Sequence, residues 1–71
     1  MNFKHGIYRH FKGHSYRIIG LAKHSETLEE MIVYVNIEDS KDMWVRPISM
    51  FTEMVQKDGI SIPRFQWIGE E

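Results

Sequence analysis

Two runs rich in β-branched and aromatic residues, 16–24 and 31–37, flank a polar, acidic loop at 25–30, and this pattern restricts the fold more than any other in the chain. Each run has ordinary strand length, so an antiparallel hairpin is the simplest reading. With His24 opposite Met31, Ala22 falls opposite Val33, Gly20 opposite Val35 and Ile18 opposite Ile37. That face is almost wholly apolar and is expected to look into the core. The other face sets Lys23 against Ile32, Leu21 against Tyr34, Ile19 against Asn36 and Arg17 against Glu38. A one-residue slip would mix the two sets, so burial argues for this register. Gly20 in mid-strand implies a bend or a close backbone approach, as a small curved barrel needs.

The rest of the chain supplies partners for this hairpin. Residues 6–11 alternate and read as a first strand, closed by a turn in which Gly13 can adopt positive φ. Whether Tyr8 and His10 or Ile7 and Phe11 point inward stays open, because both sets contain a large ring. Residues 38–42 are polar and read as a solvated connection. Met43 to Arg46 then reads as a fourth strand ended by Pro47, with Ile37 opposite Met43, Val35 opposite Val45, Asn36 opposite Trp44 and Tyr34 opposite Arg46. Ile48, Phe51 and Val55 fit a helical stripe, yet Asp58-Gly59 is a strong hairpin signal. The reading preferred is one helical turn over 47–51, then a short hairpin around Asp58-Gly59. Residues 65–68 form a closing edge segment and 69–71 a loose tail. The expected fold is mainly β: a single domain over 1–71, built as a small, partly open, SH3-like barrel or roll of five to six short antiparallel strands with one helical turn.

Composition narrows the chemistry. A chain of 71 residues buries only about 60% of its unfolded surface. It has no cysteine, hence no disulfide framework and no thiolate metal site. No apolar run reaches the length of a membrane span, and the N-terminal residues show no signal-peptide core, so a cytoplasmic protein with no membrane partner is expected. Charge is lopsided. Residues 1–24 hold five bases, all four histidines and no acid, whereas residues 25–71 hold all ten acids and four bases. The basic third can attract phosphate or an acidic partner; the plainer possibility is that basic strands pair with acidic ones, as Arg17 and Glu38 would.

Several short motifs stand in a fixed order: Gly6, Tyr8, His10-Phe11-Lys12-Gly13; Ala22-Lys23-His24-Ser25-Glu26-Thr27; Trp44-Val45-Arg46-Pro47; Met50-Phe51; Pro63-Arg64-Phe65. In these the chain resembles the short bacterial and phage proteins grouped as domain of unknown function 1653, over nearly its whole length. The resemblance implies a compact SH3-type barrel and brings no activity. His14 departs from it, standing in a turn where a small or polar non-titrating residue is expected.

No catalytic or cofactor motif stands out. Four histidines could supply a metal site, but only His10 with His24 across neighbouring strands is plausible, and a third ligand is lacking; no metal and no cofactor is expected. His24-Ser25-Glu26 has the residue types of a triad, but neighbours in a turn do not form the linear chain that a triad needs. His24 with Glu29 or Glu30 would be the better acid-base pair. His10, His24 and Glu26 are therefore a secondary group of candidates, and an enzyme is not expected. The leading candidate is a face. Leu21, Ile32, Tyr34, Trp44 and Arg46 share the side of the sheet turned from the expected core, and Arg46 beside Tyr34 allows a cation–π contact. Aromatic rings with arginine are what interface hot spots use, and what single-strand nucleic-acid binders use. The architectural alternative is that Phe51, Phe65 or Trp67 folds over this face and completes the core. The expected function is a small binding module that uses the face on a protein partner or on a second copy of itself. The runner-up is a nucleic-acid binder that adds Lys12, Arg17 and Lys23.

Overall fold

Val, Ile and Tyr concentrate where the backbone extends, and the computed structural model, which describes residues 4–70, is mostly strand. Residues 1–3, to which the signal-peptide argument applied, and residue 71 of the expected tail lie outside the described residues. The order is β1 (Ile7–His10), β2 (Ser15–Lys23), β3 (Glu30–Asn36), β4 (Asp39–Pro47), α1 (Ile48–Phe51), β5 (Met54–Lys57), β6 (Ile60–Pro63) and β7 (Phe65–Gly69). These seven strands exceed the five or six expected. Five form one antiparallel sheet in the order β4-β3-β2-β1-β7, and β5 and β6 form a separate hairpin. The sheet is not closed, since β4 and β7 are its edges. A mainly β, partly open roll with one helical turn is thus the fold. Gly69, expected to begin the tail, pairs with Ile7 as the last residue of β7.

The turns follow from their side chains. Asp58 and Gly59 both have positive φ, 53° and 77°, as a two-residue hairpin turn of the primed kind requires. The connection between β3 and β4 is a tight turn of Ile37 and Glu38, closed by the Glu38 N–H donating to Asn36 Oδ1 at 2.9 Å. The expected solvated connection over 38–42 is corrected accordingly: β4 begins at Asp39, and the polar residues after it form an irregularity between the pairs Asn36–Asp39 and Val35–Met43.

The central register also differs from expectation. Lys23 lies opposite Glu30, Ala22 opposite Met31, Leu21 opposite Ile32 and Gly20 opposite Val33. The partner of each β2 residue here is shifted by two positions, because His24 belongs to the loop. Its Nδ1 accepts the N–H groups of Glu26 (3.1 Å) and Thr27 (3.4 Å), its N–H donates to Glu29 O, and its carbonyl accepts from Leu28, which takes φ 62°. A bulge between Ile18 and Gly20 then shifts the pairing, so that Ile18 meets Tyr34 and Arg17 meets Val35 rather than Glu38. Gly20, where a bend or a close approach was expected, borders this bulge; the close approach is absent, for a Cβ on Gly20 would meet nothing within 4 Å. The β3–β4 pairing is slid in the same way, with Tyr34 opposite Trp44 and Ile32 opposite Arg46.

The largest correction concerns inside and outside. Leu21, Ile32, Tyr34, Trp44 and Arg46 do share one face, but it is the covered one. Ile32 is 0% exposed and Tyr34 3%, whereas Met43 and Val45 of the expected core side are each 58% exposed. The cover comes from outside the hairpin. Pro47 ends β4 and turns the chain into α1, whose Phe51 lies flat on Phe65 of β7, with centroids 4.1 Å apart. Tyr34 meets both rings edge-on at 5.4 Å, and Tyr8 meets Phe51 at 5.3 Å. Ile18 and Ile48 complete the core. Edge-to-face rings add about 0.5–1.5 kcal/mol per pair beyond the area they bury, which matters in so short a chain. Of the two orientations left open for β1, Tyr8 is the buried one.

Candidate functional site

The core cover stops short of one end of the sheet, and a cavity of about 170 Å³ opens there. It is lined by His10, Lys12, His14, Tyr16, Tyr34, Trp44, Arg46 and Phe65. Three parts of the fold bring these together. The β1–β2 turn supplies His10, Lys12 and His14, held by the His10 N–H donating to His14 O at 2.7 Å and by Lys12 N–H donating to His10 Nδ1 at 3.1 Å. Neighbouring strands β2, β3 and β4 supply Tyr16, Tyr34, Trp44 and Arg46, and β7 supplies Phe65.

The floor is buried and the rim is open. Tyr34 and Phe65 are buried, and Tyr16 meets them edge-on at 5.2 and 6.0 Å. Trp44 is 49% exposed, so much of its indole surface is free to meet a ligand. Arg46 is fixed at the wall: its Nε donates to the Tyr34 hydroxyl at 3.3 Å, and its guanidinium carbon stands 5.8 Å from the Phe65 ring centre. The expected cation–π contact with Tyr34 is thus replaced by a hydrogen bond to its hydroxyl, with Phe65 as the ring beneath the cation.

Bases outnumber acids here. Among the described residues no carboxylate lines the cavity, although Asp42 stands close enough to act on Tyr16. Burial lowers the His10 pKa below its ordinary value, and the positive charges of Arg64, Arg46, Lys12 and His14 lower it further. The Tyr16 pKa is raised, first by burial and then by the carboxylate of Asp42 and by Tyr34, against the pull of Arg46. Asp42 accepts from Asn36 Nδ2 at 3.4 Å, beside the cavity rather than in its wall.

The sequence-based candidates divide. Tyr34, Trp44 and Arg46 line the cavity; Leu21 and Ile32, at the other end of the same face, do not. Ile32 is wholly buried and acts in the core. His10 also lines the cavity, but His24 follows β2 at the end remote from the β1–β2 turn, roughly 30 Å along a straight strand. His10 and His24 therefore do not meet, which corrects the one pairing considered for a metal. Among the described residues no cluster of three His, Asp or Glu side chains is present. Glu26 is exposed in the loop that His24 organises. Lys12 joins the cavity from the basic set, while Arg17 and Lys23 do not. Missed from sequence as site residues were His14, Tyr16 and Phe65. The signal for the first was present: His10, Lys12 and His14 bracket one tight turn and so must cluster.

Comparisons with known proteins identify the family. A family model described as "Protein of unknown function (DUF1653)" matches residues 6–67. The crystal structure of a DUF1653 protein from Bordetella bronchiseptica aligns with a TM-score of 0.87 at 33% identity, covering 99% of this chain and 92% of that one. A search of curated proteins finds no match. The match runs from Gly6, before β1, to Trp67 in β7, so that all seven strands and α1 fall within or overlap it, and the chain belongs to the DUF1653 family of proteins of unknown function.

Proposed function

We propose that this protein is a non-catalytic binding module whose ligand places an anionic group in the cavity between the β1–β2 turn and Arg46. One observation carries the reading: Lys12, His14, His10 and Arg46 converge on a single ring-lined cavity, and among the described residues no acid stands in its wall. The sequence-based runner-up joined the aromatic-arginine face to Lys12, Arg17 and Lys23; of those three bases, Lys12 lines the cavity. A cavity walled by low-dielectric rings and flanked by the cations Lys12 and Arg46 concentrates anions. Arg46 is positioned in advance by Tyr34, so little ordering is needed when a ligand arrives.

The test is titration with inorganic phosphate at low ionic strength, followed by the ring-proton resonances of the histidines. Saturable shifts at His10 and His14, weakened severalfold by Arg46→Gln, are expected. Shifts that grow linearly without saturation and are the same in the variant would reject the reading.

A second reading rests on a different surface. Met43 and Val45 on the outer side of β4 are each 58% exposed, and β4 is an unpaired edge. Antiparallel pairing of two copies centred on Trp44 would set Asp42 against Arg46 and Met43 against Val45, twice each by symmetry, so the edge is complementary to itself. Sedimentation over a range of protein concentrations tests this. A monomer at all concentrations, unchanged by Val45→Lys, rejects it.

A further inference from the structure

We infer that the ligand of this cavity is a nucleotide unit with an unstacked base, the base lying against Trp44 and Tyr16 and its phosphate against Arg46, Lys12 and His14. The inference rests on the anion-binding reading above and adds the identity of the group that carries the charge.

Three features separate a nucleotide from a bare anion or an acidic peptide. Rings and cations alternate around one opening: Trp44 and Arg46 follow each other at two-residue spacing on one face of β4, and Tyr16 and His14 stand across from them. A bare phosphate or a carboxylate uses the cations alone and leaves the half-exposed indole of Trp44 against water. A planar base covers that indole while its phosphate reaches the rim, so both parts of the wall are used at once. The size agrees as well. A cavity of about 170 Å³ is of a size with one flat ring system. In a duplex the faces of the bases are hidden by their neighbours, so a ring-lined cavity of this size reads only an unstacked base. Arg46 is also suited to a phosphate oxygen: its Nε is occupied by the Tyr34 hydroxyl, which fixes the plane of the guanidinium and leaves its terminal nitrogens to meet the ligand.

Stacking on an aromatic side chain contributes about 1–3 kcal/mol per base, or roughly 5- to 150-fold in affinity. That predicts a measurable gap between ligands with and without a base.

The experiment is calorimetric titration of the full chain and its Trp44→Ala variant, at low salt, with four probes. These are a short oligothymidylate, an abasic strand of the same length, thymidine 5′-monophosphate and an oligoglutamate of matched charge. Trp44 is half exposed, so its truncation is expected to leave the fold intact, which the circular dichroism spectrum and melting temperature check. Expected is oligothymidylate binding at least about fivefold tighter than the abasic strand, a gap that Trp44→Ala abolishes. The monophosphate arm tells whether a free nucleotide suffices or a strand is required, and either result bears the inference out if the base is needed. Equal affinity for the oligothymidylate and the abasic strand overturns it while leaving the anion-binding reading intact. Oligoglutamate binding as tightly as oligothymidylate overturns it in favour of an acidic protein partner. Failure of every probe, together with a linear response to phosphate, overturns both.

Discussion

His10 is shared between core and cavity, and its ring answers to both. It stands edge-on to Phe65 at 4.8 Å, lies 4.7 Å from Phe11, and uses Nδ1 to accept the Lys12 N–H. Protonating Nδ1 would turn that acceptor into a donor. Burial is the main cause of its lowered pKa, and the cations facing it add to the effect: Arg64 before β7, Arg46 on β4, and Lys12 and His14 in the β1–β2 turn. The folded chain therefore prefers neutral His10, and the unfolded chain binds more protons between the folded value and the ordinary 6.5. Stability contributed by this residue is complete above the ordinary value and is lost as pH falls through the folded one. Thermal unfolding followed from about pH 7.5 down to about pH 5 should show a falling melting temperature, and His10→Gln should flatten that fall. An unchanged slope in the variant would place the pH dependence elsewhere. A bound anion should shift the balance the other way, raising the His10 pKa in the presence of phosphate. The Tyr34 hydroxyl offers a second residue-level check. Tyr34→Phe removes one hydrogen bond, worth about 0.5–1.5 kcal/mol, and frees Arg46 to move. Phosphate affinity should drop severalfold in that variant while chemical denaturation shows only the modest loss of stability.

Among the elements, β3 shows most clearly what a sequence discloses and what it withholds. Side chains at even positions of β3 share a face with Trp44 and Arg46 of β4, and alternation alone is enough to see this. Which face is buried is not legible in the hairpin, because both are apolar: Ile32 and Tyr34 on one, Met31, Val33 and Val35 on the other. The decision is made by Phe51 and Phe65, which arrive after Pro47 and after Arg64, from segments remote in sequence. The slide of β2 against β3 was hidden for another reason. It depends on His24 accepting backbone N–H groups in the manner of Asp or Asn, and loop rules seldom grant histidine that role. The turns, by contrast, were readable at Gly13, Pro47 and Asp58-Gly59, where backbone chemistry is local. Part of the cavity was readable too, since Tyr34, Trp44 and Arg46 were named; His14 and Phe65 were not, because only the assembled sheet brings the first turn and the last strand to them. The burial assignment has a direct consequence for stability. Ile32→Val should cost about 0.5–1.5 kcal/mol in chemical denaturation, and Val45→Thr should fall within about 0.5 kcal/mol of the parent. The reverse order would mean that the other face of the sheet is the inner one.

At the scale of the whole molecule, stability is unevenly spread. The five-stranded sheet contains Tyr8, Ile18, Ile32, Tyr34, Val35 and Phe65 at low exposure, while no residue of β5 or β6 is buried. A two-stranded hairpin is marginal on its own, so this one depends on its attachments. Among the described residues these include the Arg64 N–H donating to Glu53 O at 3.0 Å, the Phe11 N–H donating to Arg64 O at 2.9 Å, and an ion pair from Arg64 to Glu53 at 2.7 Å with both side chains partly in water. An exposed pair of that kind contributes at most about 1 kcal/mol. The hairpin should therefore open by itself well before the sheet does. Native-state hydrogen exchange can separate the two. Amides of β3 should exchange only through global unfolding and should follow denaturant with the full equilibrium slope. Amides at the Val55–Ile62 and Lys57–Ile60 pairs should exchange through a local opening with almost no denaturant dependence. Gly59→Ala sharpens the test, because alanine at φ 77° is strained by about 1–2 kcal/mol. That strain should appear in full in the hairpin amides. In β3 it can appear only up to the small free energy that holds the hairpin shut. Equal losses of protection in both regions would show that β5 and β6 unfold with the sheet as one unit, and the division of the molecule into a firm sheet and a loosely attached hairpin would not stand.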